Sequence, residues 1–232
     1  MSIYAISDLH LSFGANKPMD IFGVNWGEHT EKIKQDWNKN IKEEDTVLLP
    51  GDFSWAMYLK DTLEDFEYLS RLPGKKLLLK GNHDYWWTTL KSMREYLREN
   101  GFSNIDFLYN NSYLCEDYII AGTRGWQSSD TSDDCKLLKR ENLRLGISLN
   151  DGVNKYGKDK KIIVCTHYPP FNDLEKKETS LIDTMKQYNV ETCIYGHLHG
   201  EAHKDALQGK IDGIDFKLVS CDYTDFKLVK IV

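Results

Sequence analysis

Five short polar signatures in this chain could do chemistry together. Asp8 and His10 stand in SDLH, Asp52 in GDFSW, and Asn82, His83 and Asp84 in GNHD. His167 follows in THYPP, and His197 and His199 in GHLH. A mixture of imidazole and carboxylate suits borderline divalent ions such as zinc, manganese or iron, whereas an all-oxygen set would suit calcium or magnesium. Asp8, His10, Asp52, Asn82, His167, His197 and His199 make seven candidate ligands. That exceeds one ordinary coordination shell and suffices for two. A shared carboxylate would hold two ions about 3.5–4 Å apart, the arrangement that assists phosphoryl hydrolysis. Taken singly, each signature reads as an ordinary turn. Their common placement gives them weight.

That placement is the end of a strand. Short apolar runs bounded by turn residues predict buried strands at Ile3–Ser7, Thr46–Pro50, Lys75–Lys80, Lys160–Thr166 and Glu191–Tyr195. Each delivers its polar residues just past its C-terminal end, the edge of an open α/β sheet where ligands bind. Gly51, Gly81 and Gly196 each precede a presented residue, which permits sharp turns and close backbone approach. Helical spacing of apolar residues predicts helices at Glu28–Asn40, Leu59–Arg71, Thr88–Asn100, Asp133–Leu149 and Leu181–Tyr188. Closely spaced strand-like runs at 105–108, 112–115, 118–121, 211–220 and 226–232 predict hairpins, and hence a second or mixed sheet. Without an internal repeat or a low-complexity linker, residues 1–232 read as one α/β sandwich domain.

Composition narrows the partners. The chain has 232 residues, 41 % apolar, with a net charge of −6 and both signs well mixed. No basic arm or stripe supports sequence-independent nucleic-acid binding. No run is long enough for a membrane span. The opening MSIYAISDLH lacks a basic region followed by a long apolar one, so no secretory signal is read there. Five scattered cysteines without a CxxC predict buried free thiols and a cytoplasmic protein. Cys165, two residues before His167, is expected in the core rather than as a nucleophile.

SDLH, GD, GNHD, the isolated CTH and GHLH together resemble the five blocks of the calcineurin-like metallophosphoesterases, and they run from Asp8 to His199. The extended GDFSW and GNHDYWW also resemble a little-characterised bacterial branch of predicted phosphohydrolases. The resemblance implies a four-layer α-β-β-α sandwich of two mixed sheets, with a dinuclear centre at the sheets' ends. Carried over by motif, Asp8, His10 and His199 would bind one ion and Asn82, His167 and His197 the other. Asp52 would bridge both. His83 would approach the phosphoryl group as general acid or charge stabiliser, and Asp84 could support His83 or a ligand. The implied activity is hydrolysis of a small phosphomonoester or phosphodiester by metal-activated hydroxide, with two divalent ions per chain (manganese, zinc or iron).

One departure bears on the substrate. Relatives that act on phosphoproteins carry GDxxDRG, but here Trp55, Ala56 and Met57 stand at the last three positions. Small esters or nucleotides are therefore expected over phosphoproteins. Trp55, Tyr85, Trp86 and Trp87 lie beside the motifs. Their plain role is layer packing; the functional one places Trp55 and Trp86 on a substrate subsite. Arg124, in GTRGWQSSD, is read either as a phosphate clamp or as a solvated arginine. The long KPMDIFGVNWGEH segment could cap the site, with His29 nearby, while His203 is expected at the surface. Two other readings stand beside the first: a nucleotide pyrophosphohydrolase, and a non-catalytic interaction scaffold on the same fold. Lost ligands would mark the scaffold, and none of the seven is missing.

Overall fold

A computed structural model describes residues 1–15, 17–19, 23–127, 131–171 and 180–232. Strands β1 (Ile3–Ala5), β2 (Thr46–Pro50), β3 (Lys75–Leu79) and β4 (Ile105–Phe107) run parallel in one sheet. The final strand β11 (Val229–Lys230) closes its edge antiparallel to β1, giving the order β11-β1-β2-β3-β4. The second sheet has the order β5-β6-β7-β8-β10-β9. Its members are β5 (Tyr113–Cys115), β6 (Tyr118–Thr123), β7 (Lys161–Thr166), β8 (Val190–Tyr195), β9 (Gly209–Ile211) and β10 (Ile214–Leu218). Antiparallel β5-β6 and β9-β10 hairpins flank its parallel centre.

Period-two alternation builds the layers. Leu48 on β2 and Ile163 and Cys165 on β7 point into the seam between the sheets, with Ile3, Ala5, Leu77, Ile120 and Ile194. Val47 and Leu49 point the other way, onto α1 (His29–Asn40), α2 (Leu63–Ser70) and α3 (Leu90–Glu99) through Ile33, Trp37, Phe66, Leu69 and Met93. Ile162 and Val164 pack on α4 (Ser132–Tyr156) and α5 (Ser180–Met185) through Leu145, Leu149 and Met185. The result is the four-layer sandwich of two mixed sheets.

Several expectations need correction. The run at 105–108 does not join a hairpin; β4 lies parallel to β3 in the first sheet. The 226–232 run likewise ends on β1, because its backbone groups reach Ile3 rather than a neighbouring hairpin. Residues 59–71 divide into a 3-10 turn over Leu59–Thr62 and a shorter α2. Helix α4 runs a further seven residues past Leu149, to Tyr156, because Gly152 lets it lie close to Ile119 and Ser112. Four cysteines are buried, but Cys135 on α4 is exposed. Among the described residues, no helix is long and apolar enough to cross a membrane.

One buried charge outside the site gives a pH-dependent expectation. The Lys76 side chain on β3 is buried and its ammonium donates to the Leu72 carbonyl. Burial pushes its pKa down to about 8 from an ordinary 10.5. Between those values the unfolded chain holds more of this proton, so this group makes stability rise with pH. At neutral pH, Lys76→Met should unfold at higher urea than the wild type. The gap should narrow by about 2–3 kcal/mol between pH 7.5 and 10.5. Urea melts of both proteins at the two pH values check this, and an unchanging gap would mean that the amine is not desolvated.

Candidate metal centre

The loops that leave β1, β2, β3, β7 and β8 bring all seven candidate ligands to one edge of the paired sheets. Asp8, His10, Asp52 and His197 share an uncommon feature: each has a left-handed backbone, with φ of 60°, 46°, 52° and 73°. Such conformations cost of order 1–3 kcal/mol each and persist only where surroundings enforce them. Here the loops hold one another. Asp8 N donates to the Gly51 carbonyl and His10 N to the Asp52 carbonyl, both at 3.0 Å. Asp84 is the hub of the opposite side. Its carboxylate accepts from the backbone N–H groups of Gly81 (2.7 Å), Asp52 (3.0 Å), Phe53 (2.9 Å) and Ser54 (3.3 Å) and from Trp86 Nε1 (3.1 Å). It therefore fixes the Asp52 loop. The glycines are required by proximity. A Cβ on Gly81 would overlap the Asp52 carboxylate, and one on Gly196 would overlap that of Asp8.

The first ligand group is Asp8, His10 and His199. Their donor atoms, like those of Asp8, Asp52 and His167, lie within 4.8 Å of one another. His199 Nδ1 lies 2.8 Å from Asp222 Oδ1, so it donates there and leaves Nε2 facing Asp8 Oδ1 at 3.4 Å. Nε2 is buried and has no hydrogen-bond partner among the described residues. The second group is Asn82, His167 and His197. His167 Nδ1 donates to the Pro50 carbonyl at 2.9 Å. In the neutral ring its Nε2 then carries a lone pair, aimed at Asn82 Oδ1 from 2.6 Å, and His197 Nδ1 lies 3.0 Å from the same oxygen. Lone pairs facing each other repel. A cation held there would satisfy the His167 and Asn82 lone pairs, and that of His197 in the tautomer that leaves Nδ1 unprotonated. Asp52 Oδ2 stands between the groups, 3.8 Å from His10 Nε2 and 3.5 Å from His167 Nε2.

Electrostatics agree with a cation-binding set. Burial holds the imidazoles of His167 and His197 down to about 3 and about 4, and that of His10 well below the ordinary value. These rings are neutral at pH 7 and keep the lone pairs a metal needs. Burial would lift Asp8, but His199 and the neighbouring imidazoles hold its carboxyl well below the usual range. Burial, with Asp8 and Asp84 close by, pushes Asp52 well up. His199 goes the other way: burial opposes its charge, but Asp222 and Asp8 raise it to about 10. Without a metal His199 therefore holds a proton that a cation would displace, and with that proton gone the donor set would suit divalent cations, with Asp52 between the two groups.

The substrate-side residues divide. Trp55 stacks on His10 (ring centroids 4.8 Å apart, planes 22° apart) and leans on His83 (4.4 Å). It lines a cavity of about 580 Å³ that opens beside His10, His83 and His199. Burial and the nearby Lys17 charge lower the His83 pKa, and its Nδ1 has no partner among the described residues. Trp86 and Arg124 are not among the residues that line this cavity. Trp86 is 2 % exposed and packs between Phe53, Phe66 and Trp87, because its Nε1 is drawn inward to Asp84. The Arg124 guanidinium lies over Trp126, 4.6 Å from the ring centroid. It borders a separate space of only about 20 Å³ with Lys80, Glu141 and Arg144. Its carbonyl accepts from His167 N and Tyr168 N at 3.0 Å, so Arg124 holds the His167 loop through backbone. Residues 128–130 of its loop, and residues 20–22 of the segment expected to cap the site, lie outside the described residues.

The chain belongs to the calcineurin-like phosphoesterase family. That family's model matches residues 1–201. Solved structures share the fold at low identity. The protein TT1561 of Thermus thermophilus superposes with a TM-score of 0.58 at 14 % identity, over 98 % of this chain and 96 % of that one. Phosphopantetheinyl hydrolase from Mycobacterium tuberculosis gives 0.56 at 14 % identity, over 100 % and 95 %. The protein AQ665 of Aquifex aeolicus gives 0.51 at 19 % identity, over 99 % and 95 %. No curated protein matches.

Residues that sequence reasoning missed support this phosphoesterase site from behind. Asp222 orients His199 and also lies 3.3 Å from His203 Nε2, so His203 is half-buried rather than a surface residue. The signal was available: β10 ends and VSCD follows, one more strand with a carboxylate past its end. Ser7 and Ser220 Oγ both donate to Asp8 Oδ2, and His197 N donates to the same carboxylate. His29 does not reach the cavity. It is buried, its ring nitrogens 3.2 Å from the Trp26 carbonyl and 3.1 Å from that of Leu9, and it fixes the position of Trp26.

Proposed function

We propose that this phosphoesterase hydrolyses a small phosphomonoester or phosphodiester with two divalent ions, in the cytoplasm. The observation that carries the reading is Asp52 Oδ2 lying 3.8 Å from His10 Nε2 and 3.5 Å from His167 Nε2, beside two groups of side chains that could each hold an ion. Asp8, His10 and His199 would hold one ion, Asn82, His167 and His197 the other, and Asp52 both. Bound there, two divalent ions neutralise phosphate charge and make hydroxide available near neutral pH. The remaining work belongs to side chains of the chain. Asp222 and the Pro50 carbonyl keep His199 and His167 in the tautomers that face the centre. His83, on the cavity wall, gives a hydrogen bond to a phosphoryl oxygen or a proton to the leaving oxygen. In the reaction, the bond from phosphorus to the leaving oxygen breaks and one to a water oxygen forms. The water's protons end on the leaving group and in solution.

A structural neighbour named as a phosphopantetheinyl hydrolase agrees with a hydrolase. The intact ligand set opposes a non-catalytic scaffold. The nucleotide pyrophosphohydrolase reading gains support from Trp26 and Trp55 on the cavity wall, since indoles can hold a base. Trp55, Ala56 and Met57 argue against phosphoproteins. The test is a panel of bis-p-nitrophenyl phosphate, p-nitrophenyl phosphate, nucleotides and a phosphoserine peptide, assayed with manganese, zinc, nickel and iron. A small ester should give the highest kcat/KM. A clear preference for the peptide, or no turnover with any metal, would overturn the reading.

A further inference from the structure

The cavity beside the metal ligands is larger than the reaction alone demands. At about 580 Å³ it falls among sites that hold organic molecules, roughly 300–1,000 Å³. Trp26, Trp55 and Met19 give it apolar walls, and Lys17 brings an ammonium to the same space. That ammonium lies over the Trp55 ring, 3.1 Å from its centroid. A cation on an indole face is attracted by the ring quadrupole, so Lys17 is held rather than splayed into water. Trp55 is itself fixed: it stacks on His10, and its Nε1 lies 3.1 Å from Met19 Sδ. The stretch leading to Lys17 is anchored by Phe13 N donating to Asp65 Oδ1 at 2.9 Å and by the bridge between Leu11 and Ser54.

Two further observations direct this charge toward a ligand. Among the described residues, no carboxylate pairs with Lys17. The carboxylate on the cavity wall, Asp222, is already engaged by His199 Nδ1, by Gly200 N at 3.2 Å and by His203. Lys17 also stands one indole away from His10 and His83, where the reacting phosphate would sit. Its place suits an anionic group next to that phosphate rather than the phosphate itself. The guanidinium that GDxxDRG would supply is missing here, and Ala56 stands at its position.

We propose that Lys17 is a specificity-determining residue that binds a second anionic group, so that the cavity takes organic diphosphates whose organic part lies along Trp26 and Met19. The proposal rests on the phosphohydrolase reading and names its substrate class. Three proteins test it: the wild type, Lys17→Met and Lys17→Arg, each saturated with manganese and checked for metal content. Binding is read first, by tryptophan fluorescence titration with ADP and with AMP. The wild type should bind ADP more tightly than AMP. Lys17→Met should weaken ADP about 10–100-fold, as expected for loss of a charge-assisted contact, and AMP only severalfold. Lys17→Arg should recover most of the ADP affinity. Turnover is read second, with ADP-ribose (two anionic phosphates) against the p-nitrophenyl ester of thymidine 5′-monophosphate (one). Lys17→Met should lose more kcat/KM on ADP-ribose. Equal losses on both members of either pair, no loss at all, a wild type that prefers the singly charged member, or a fall in metal content would each overturn the proposal. Absence of turnover by the wild type on every ester would instead remove the phosphohydrolase reading, and the binding comparison would still decide the role of Lys17.

Discussion

Asp52→Asn should empty both metal positions. The carboxylate stands between the two ligand groups, so the substitution removes negative charge from each. Supporting residues outside a metal's own ligand shell already cost about 10–100-fold in affinity or activity when lost, and a shared ligand should cost more than that. Metal content measured after dialysis should fall for both ions, and the rate on bis-p-nitrophenyl phosphate should fall by at least about 100-fold. A second readout separates this from misfolding. Burial, with Asp8 and Asp84 close by, pushes the Asp52 pKa well up, so in metal-free protein a neutral amide costs little in its place. An Asn oxygen can still accept the His83 N–H now received by Asp52 Oδ1 at 2.8 Å. The metal-free variant should therefore melt no lower than metal-free wild type, while losing the stabilisation that added metal gives. Loss of one ion with full activity would remove Asp52 from the bridging position.

His83→Gln should do the opposite: keep both ions and lose the rate. His83 follows a ligand, Asn82, but its ring points into the cavity and leans on Trp55, and its Nδ1 meets no described partner. Loss of a positioned proton donor typically costs about 10²–10⁴-fold in kcat. The loss should be largest for alkyl esters, whose alkoxide needs a proton, and smaller for p-nitrophenyl esters. Rates on one ester of each kind, with elemental analysis of the variant, check this. A lost metal would make His83 a ligand. Equal losses on both esters would assign it to transition-state charge stabilisation instead.

Much of this was legible in the sequence because the signals are local. Short apolar runs followed by Asp, Asn or His read directly as strands presenting polar groups, and alternation such as that of Val47, Leu48 and Leu49 placed both faces of β2 in packed layers. Long-range pairing was not local and was misread. β4 and β11 look like hairpin members by spacing, yet each pairs with the first sheet across the fold. The two aromatic residues beside the motifs differ for a similar reason. Trp55 and Trp86 both border a motif, and nothing in their spacing tells that the Trp86 indole turns inward to Asp84 while Trp55 lies on His10. Asp84 carried no signal of its being a backbone acceptor for two loops, because that role depends on Gly81 and Asp52 approaching in space. Asp222 is signalled by its place after β10, whereas the position of Lys17 depends on Trp55 beneath it, which spacing does not reveal.

Electron paramagnetic resonance of the manganese-loaded protein tests most directly whether one carboxylate, Asp52, joins a pair of ions. Titrated with Mn²⁺, the chain should take up two equivalents, and the spectrum at saturation should be that of an exchange-coupled pair, lost in Asp52→Asn. Saturation at one equivalent, or two equivalents giving only the signal of isolated Mn²⁺ ions, would contradict the account.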